Sequence, residues 1–227
     1  MSASFPQVCV YGTVSEGAVP ALLSACRTRC AAPESTLHIW ERAFHSQLHS
    51  VRVRECQLHC VLADDTETAA APGIMRTRGI DALNIMQLCR QRATPPCVQA
   101  RRVTAVPVGA NAPQLLHALG FMQSHELLRK GYVFRHNKAT VSIFQVCQRV
   151  DGSVAWEPLS AAFLVEVLVD GGEDLKALVA EADDWVDALQ QLVSVEEVEL
   201  PAARAAGLAA SIAPRMAASG QQVLRYT

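Results

Sequence analysis

GFMQSHELLRKGYVFRHNKATVSIFQVCQRV, from Gly120 to Val150, holds two long strand-like runs that meet at a polar turn around His136, Asn137 and Lys138. From Leu127 through Val133 to Arg135 apolar and charged side chains are mixed, and after the turn Val141, Ile143 and Val146 lie among polar neighbours. This is the composition of an antiparallel ladder with one wetter face, so the stretch predicts a long β-hairpin. Just before it, Asn111 to Leu119 predicts a short helix, with Asn111 as N-cap, an apolar stripe of Leu115, Leu116 and Leu119, and Gly120 as the C-terminal stop.

Upstream of the hairpin the pattern is strands with a few helices between them. Val8 to Val14 reads as a first strand, and Gly17 to Cys30 as a helix with Val19, Leu22, Leu23, Cys26 and Cys30 on one side and Pro20 in the tolerant first turn. Leu37 to Phe44 and Val51 to Leu62 form an expected antiparallel pair. In the second of these Val51 and Val53 share one parity while Cys56, Leu58, Cys60 and Leu62 share the other, which predicts a β-bulge near Glu55. Ala63 to Pro72 is an acidic, Thr- and Ala-rich loop. Asp81 to Arg92 is an expected helix, and Val98 to Val108 a strand whose Pro107 suits an edge.

Downstream, Asp151-Gly152 marks a turn, Leu159 to Val169 a strand and Gly171-Gly172 its end. Glu173 to Val193 carries Leu175, Leu178, Val179, Ala182, Val186, Leu189 and Val193 along one stripe with its acids outside it, a helix placed to cover one side of the sheet. Ser194 to Leu200 reads as a last strand. Residues 202–227 form an Ala-rich tail, expected to be partly ordered or partner-bound. Many strands with short turns favour an antiparallel sheet that closes or nearly closes, because closure removes exposed edges. The expected class is α+β, dominated by an antiparallel sheet, with residues 1–201 as one domain.

The segment LLHALGFMQSHELLRKGYVFR resembles the signature of subunit 18 of the transcriptional Mediator complex: a short helix ending in Gly-Phe, then His-Glu, Lys-Gly, an aromatic and Arg. Here those positions are Gly120, Phe121, His125, Glu126, Lys130, Gly131, Phe134 and Arg135. The similarity continues through Leu159 to Asp170 and Leu192 to Pro201; it is loose in the amino-terminal half and does not reach the tail. Residues 81–92 stand as an addition to the family pattern. The resemblance implies a β-barrel with flanking helices. It further implies a coactivator subunit in the nucleus that belongs to the head module, pairs with subunit 20, is tethered by the carboxy-terminal helix of subunit 8 and supports RNA polymerase II transcription.

Composition bounds what such a chain can be. Half of the 227 residues are hydrophobic, enough for one substantial core, and a net charge of −2 gives little non-specific attraction to nucleic acid. No apolar run approaches the ~18 residues of a membrane span, and MSASFPQ does not read as a secretion signal. The expectation is a soluble, intracellular chain with no membrane or sequence-specific nucleic-acid partner. Arginines at 76, 78, 90, 92, 101 and 102 crowd the middle, and acids from Glu173 to Glu199 crowd the end. These are either two solvated faces or an acidic face for a basic partner segment.

The family's barrel is similar to that of tunnel-type triphosphatases, whose chemistry needs inward carboxylates on several strands beside basic residues that grip phosphate. Glu197 and Glu199 have same-face spacing, but the first strand VCVYGTV carries neither acid nor base, and Glu166 stands alone in AFLVEVLV. The expectation is therefore no enzyme and no cofactor, with a phosphohydrolase or a small-ligand-binding barrel as the alternatives. Cys26/Cys30, Cys56/Cys60 and His45/His49 repeat one spacing, yet the cysteines fall in a helix and a strand where they serve as small buried hydrophobes, so no metal site is assigned. The eight cysteines are expected as reduced thiols. His125, between Ser124 and Glu126, reads as structural. Trp156 and Trp185 lie off the apolar patterns and are candidates for a partner interface.

Overall fold

The computed structural model describes residues 3–30, 33–46, 55–62, 73–79, 98–150, 155–171 and 174–195. They belong to the unit Met1–Glu196; a second unit, Glu197–Thr227, lies outside the described residues. The expected loop at 63–72, helix at 81–92 and tail at 202–227 also lie outside them, as do Glu197 and Glu199.

In chain order the elements are β1 (Ala3–Val14), a 3-10 turn (Glu16–Ala18), α1 (Val19–Arg29), β2 (Ser35–Ser46), β3 (Glu55–Val61), β4 (Gly73–Gly79) and β5 (Val98–Val108). After them come α2 (Ala112–Ala118), β6 (Phe121–His136), β7 (Ala139–Arg149), β8 (Trp156–Pro158), β9 (Phe163–Asp170), α3 (Leu175–Leu189) and β10 (Ser194–Val195). Every strand pairing is antiparallel. Following hydrogen-bonded neighbours gives β1, β5, β4, β3, β2, β6, β7, β9 and back to β1 through Gln7↔Asp170 to Val14↔Phe163. The fold is a closed eight-stranded antiparallel barrel with flanking helices, in the expected α+β class; β8 extends β7 and β10 extends β1.

The hairpin that decides the fold is present as expected. Leu128↔Cys147 through His136↔Ala139 pair β6 to β7, and Asn137 takes φ 52 in the two-residue turn, a left-handed conformation asparagine tolerates. Gly120 (φ 82) ends the α2 segment. The α2 stripe differs from expectation. Ala112 and Leu116 are buried, whereas Leu115 and Leu119 are 58% and 55% exposed, and the Asn111 side chain makes no cap bond. The helix is only seven residues long and touches the barrel along a single line.

Alternation sorts each strand into two faces. Val8, Val10 and Val14 of β1, Val141 and Ile143 of β7, and Val165, Val167 and Val169 of β9 face outward and pack with Leu22, Leu23 and Cys26 of α1 and Leu178, Ala182 and Leu189 of α3. A second outer cluster joins Trp40, Leu58, Cys60, Leu128 and Cys147 to Leu116 of α2. Val51 and Val53 lie outside the described residues; from Glu55 onward β3 pairs with β2 in regular register, His45↔Glu55 to Ile39↔Val61. The described register shift lies where Ala43↔His125 is followed by Phe44↔Gln123, leaving Ser124 as the extra residue. Its Oγ donates to the Ala43 carbonyl at 3.2 Å, which holds the bulge.

Candidate functional site

The other face of the strands lines the barrel lumen, and there three charged side chains from distant parts of the chain meet. Glu41 on β2 and Glu166 on β9 are 2% and 5% exposed. Arg129, on β6, lies between them: one Nη2 contacts Glu41 Oε2, and Nη1 lies 3.4 Å from Glu166 Oε2. His59, opposite Glu41 on β3, places Nε2 3.8 Å from the same carboxylate. The Arg129 guanidinium also lies 5.0 Å from the ring centre of Phe144. Burial pulls the proton affinity of this guanidinium down, but Glu41 and then Glu166 outweigh that effect, so its pKa sits above the ordinary arginine value.

The neighbouring residues explain why the cluster can form. Gly131, two residues along β6 and on the same face as Arg129, lets β7 come so close that a Cβ there would lie 2.0 Å from the Ile143 carbonyl oxygen. Leu37, Val133 and Phe144 pack beside it in the lumen. A carboxylate, a guanidinium and a second carboxylate in an interior of low dielectric satisfy one another, where any one alone would be costly. Among the described residues no three His, Cys, Asp or Glu side chains converge as metal ligands. Both carboxylates already share Arg129, so as they stand these residues do not fit a divalent ion.

The residues of the sequence signature do not converge. Phe121 is buried in the outer cluster beside α2 and Phe134 in the cluster under α1 and α3. His125 is exposed, with Nδ1 3.1 Å from Ser124 Oγ; Glu126 forms an ion pair with Arg149, Oε1 to Nε 3.0 Å; Lys130 is half-buried and Arg135 exposed. Trp156 is half-buried beneath Arg149, whose guanidinium lies 5.1 Å from its ring centre. Trp185 is not at the surface: it is 1% exposed, with Arg29 over its ring at 4.4 Å and His136 edge-on. The buried face of α3 runs through Leu178, Ala182, Trp185 and Leu189, so Trp185 lies on the stripe and Val186 at its margin.

Six cysteines, Cys9, Cys26, Cys30, Cys56, Cys60 and Cys147, are buried free thiols. Burial, reinforced by Cys30, pushes Cys26 up to about 12, and burial pushes Cys56 up to about 11. A narrow crevice between α3 and the outer barrel wall is lined by Val10, Val167, Trp185 and Leu189.

A closed antiparallel barrel with helices on its outside and an ion-paired cluster in its lumen defines the class of this protein. No protein-family model matches the chain. Over 91 residues it is 29% identical to Mediator of RNA polymerase II transcription subunit 18 of Xenopus tropicalis, covering 38% of this chain and 43% of that protein. The same subunit of Danio rerio is 30% identical over 103 residues, 44% and 49% of the two chains. The match thus spans about half the length of these curated relatives. Among solved structures, a chain of the Schizosaccharomyces pombe Mediator head module superposes with a TM-score of 0.67 at 14% identity, covering 86% of this chain and 100% of that one. A Hippeastrum protein assigned as an adenylyl cyclase, with a dominant triphosphatase activity, superposes with a TM-score of 0.50 at 9% identity over 88% of this chain and 96% of its own. A Vibrio parahaemolyticus protein assigned as an adenylate cyclase gives 0.51 at 11%, over 85% and 94%. At these identities the likeness is one of fold.

The expectation that the chain is no enzyme is overturned. Proteins assigned catalytic activities share its barrel. The exclusion also rested on Glu166 standing alone, and the lumen sets Glu166 beside Arg129, which in turn holds Glu41. The clearest signal in the sequence was Glu166, the one charge in the apolar run FLVEVLV; Glu41 and Arg129 each have a charged neighbour, Arg42 and Lys130, that points to the opposite strand face.

Proposed function

We propose that this chain is a subunit-18-type component of a Mediator head module in the nucleus, working in RNA polymerase II transcription by binding other subunits. Its partners in this reading are subunit 20 and the carboxy-terminal helix of subunit 8. Residues 1–201 act as one domain and 202–227 as a tail that orders on a partner. The observation that carries the reading is the head-module superposition, which takes in the whole of that chain at a TM-score of 0.67, against 0.50 and 0.51 for the barrels with catalytic assignments. The partial sequence matches name the same subunit.

Co-expression of the tagged chain with subunit 20 and the subunit 8 helix, followed by gel filtration and thermal unfolding, tests it. A shared elution peak and a raised midpoint are expected, since a partner that binds only the folded form adds about 2.7 kcal/mol at a hundredfold excess over its dissociation constant. Elution of the chain alone with an unmoved midpoint rejects the reading. The lumenal cluster favours a second reading, hydrolysis of a terminal phosphoanhydride in the barrel, with Arg129 gripping a phosphate oxygen, Glu41 or Glu166 accepting a proton from the attacking water, and the nucleoside diphosphate leaving as the P–O–P bond breaks. Phosphate release from a nucleoside triphosphate, lost in Arg129→Met, supports that reading; no release above buffer rejects it.

A further inference from the structure

We infer that Glu41, Arg129 and Glu166 form a strut across the lumen that fixes the barrel's cross-section by coupling β2 to β9, two strands that share no hydrogen bonds. Around the wall, β2 and β9 are separated by β6 and β7 on one side and by β3, β4, β5 and β1 on the other. Backbone ladders link each strand only to its neighbours and leave a barrel free to flatten. A guanidinium on β6 that reaches a carboxylate on each of two other strands adds a constraint across the circle.

Two features make the constraint stiff. Arg129 is planar, and its face rests near the Phe144 ring, so the direction of its fork is set before the carboxylates meet it. Gly131 keeps β6 and β7 in close register beside it, so the guanidinium has little room to shift. The two carboxylates and one guanidinium sum to a charge of −1, with His59 of β3 next to Glu41 and Tyr11 of β1 among the groups acting on Arg129. An eight-stranded barrel is just wide enough for its inward side chains to meet, so one bridging arginine spans the gap.

Native-state hydrogen exchange on the full chain tests the strut. The triple variant Glu41→Gln, Arg129→Met, Glu166→Gln removes every member together, so no buried charge is left alone and the barrel is expected to fold. Its protection should fall about tenfold in β2 and β9 while the β4–β5 pair keeps its own. Glu166→Gln alone, which cuts only the β9 arm, should show the same pattern at β9 and supplies the readout if the triple variant does not fold. Unchanged protection in β2 and β9, or an equal loss in all strands, overturns the inference.

Discussion

A methyl group at position 131 would lie 2.0 Å from the Ile143 carbonyl oxygen and 2.7 Å from the Phe144 Cα, both backbone atoms that cannot rotate away. Gly131→Ala should therefore destabilise the chain at or above the upper end of the ~1–3 kcal/mol range for overpacking, as read by urea unfolding. A loss under 0.5 kcal/mol, about the size of a surface change, would show that the two strands part without cost. A glycine inside a strand run marks either a bend or a close backbone approach, and the run alone does not say which or what approaches it. Cys26 supports a second expectation at this scale. Its folded pKa is raised from 9.0 to about 12, so the folded form holds its proton where the unfolded form releases it. The stability this contributes is complete below pH 9 and is lost as pH rises toward 12. Denaturant midpoints across that window should fall less steeply in Cys26→Ala than in the parent chain.

The helix α3 shows what the pattern of a single element reveals and what it hides. Its existence and its acidic outer face are legible from periodicity, and Asp174 caps it by accepting from the backbone N–H groups of Lys176 and Ala177 at 3.0 and 3.4 Å. Asp174→Ala should cost about 1 kcal/mol, measured by chemical unfolding. Trp185 was misjudged because a stripe drawn through the aliphatic residues alone passes beside it. The wide indole fills the space between Arg29 and His136, and aromatic bulk, not hydropathy, selects it. Trp185→Ala should cost roughly 3–5 kcal/mol, and Trp185→Phe less. Equal, small losses in both would mean that the helix end does not depend on the ring. For α2 the error runs the other way: leucines at 115 and 119 look like a core stripe, but a two-turn helix has only one line of contact to offer.

At the scale of the whole molecule, the antiparallel class and the hairpin followed from local alternation, because a hairpin's partner lies next to it in the chain. The lumenal cluster did not, since Glu41, Arg129 and Glu166 come from three separate strands and nothing local marks them as partners until the barrel closes. The closure itself joins Gln7 to Asp170, 163 residues apart. At roughly 5–20 residues per second a ribosome takes on the order of 10–30 s to supply that partner. β1, with Val8 and Cys9 fully buried in the finished fold, is thus the first strand made and among the last to be hydrogen-bonded on both sides. So non-local a step is slow in refolding as well. During synthesis it leaves an apolar strand that waits for its pairing strands, β5 first and β9 last.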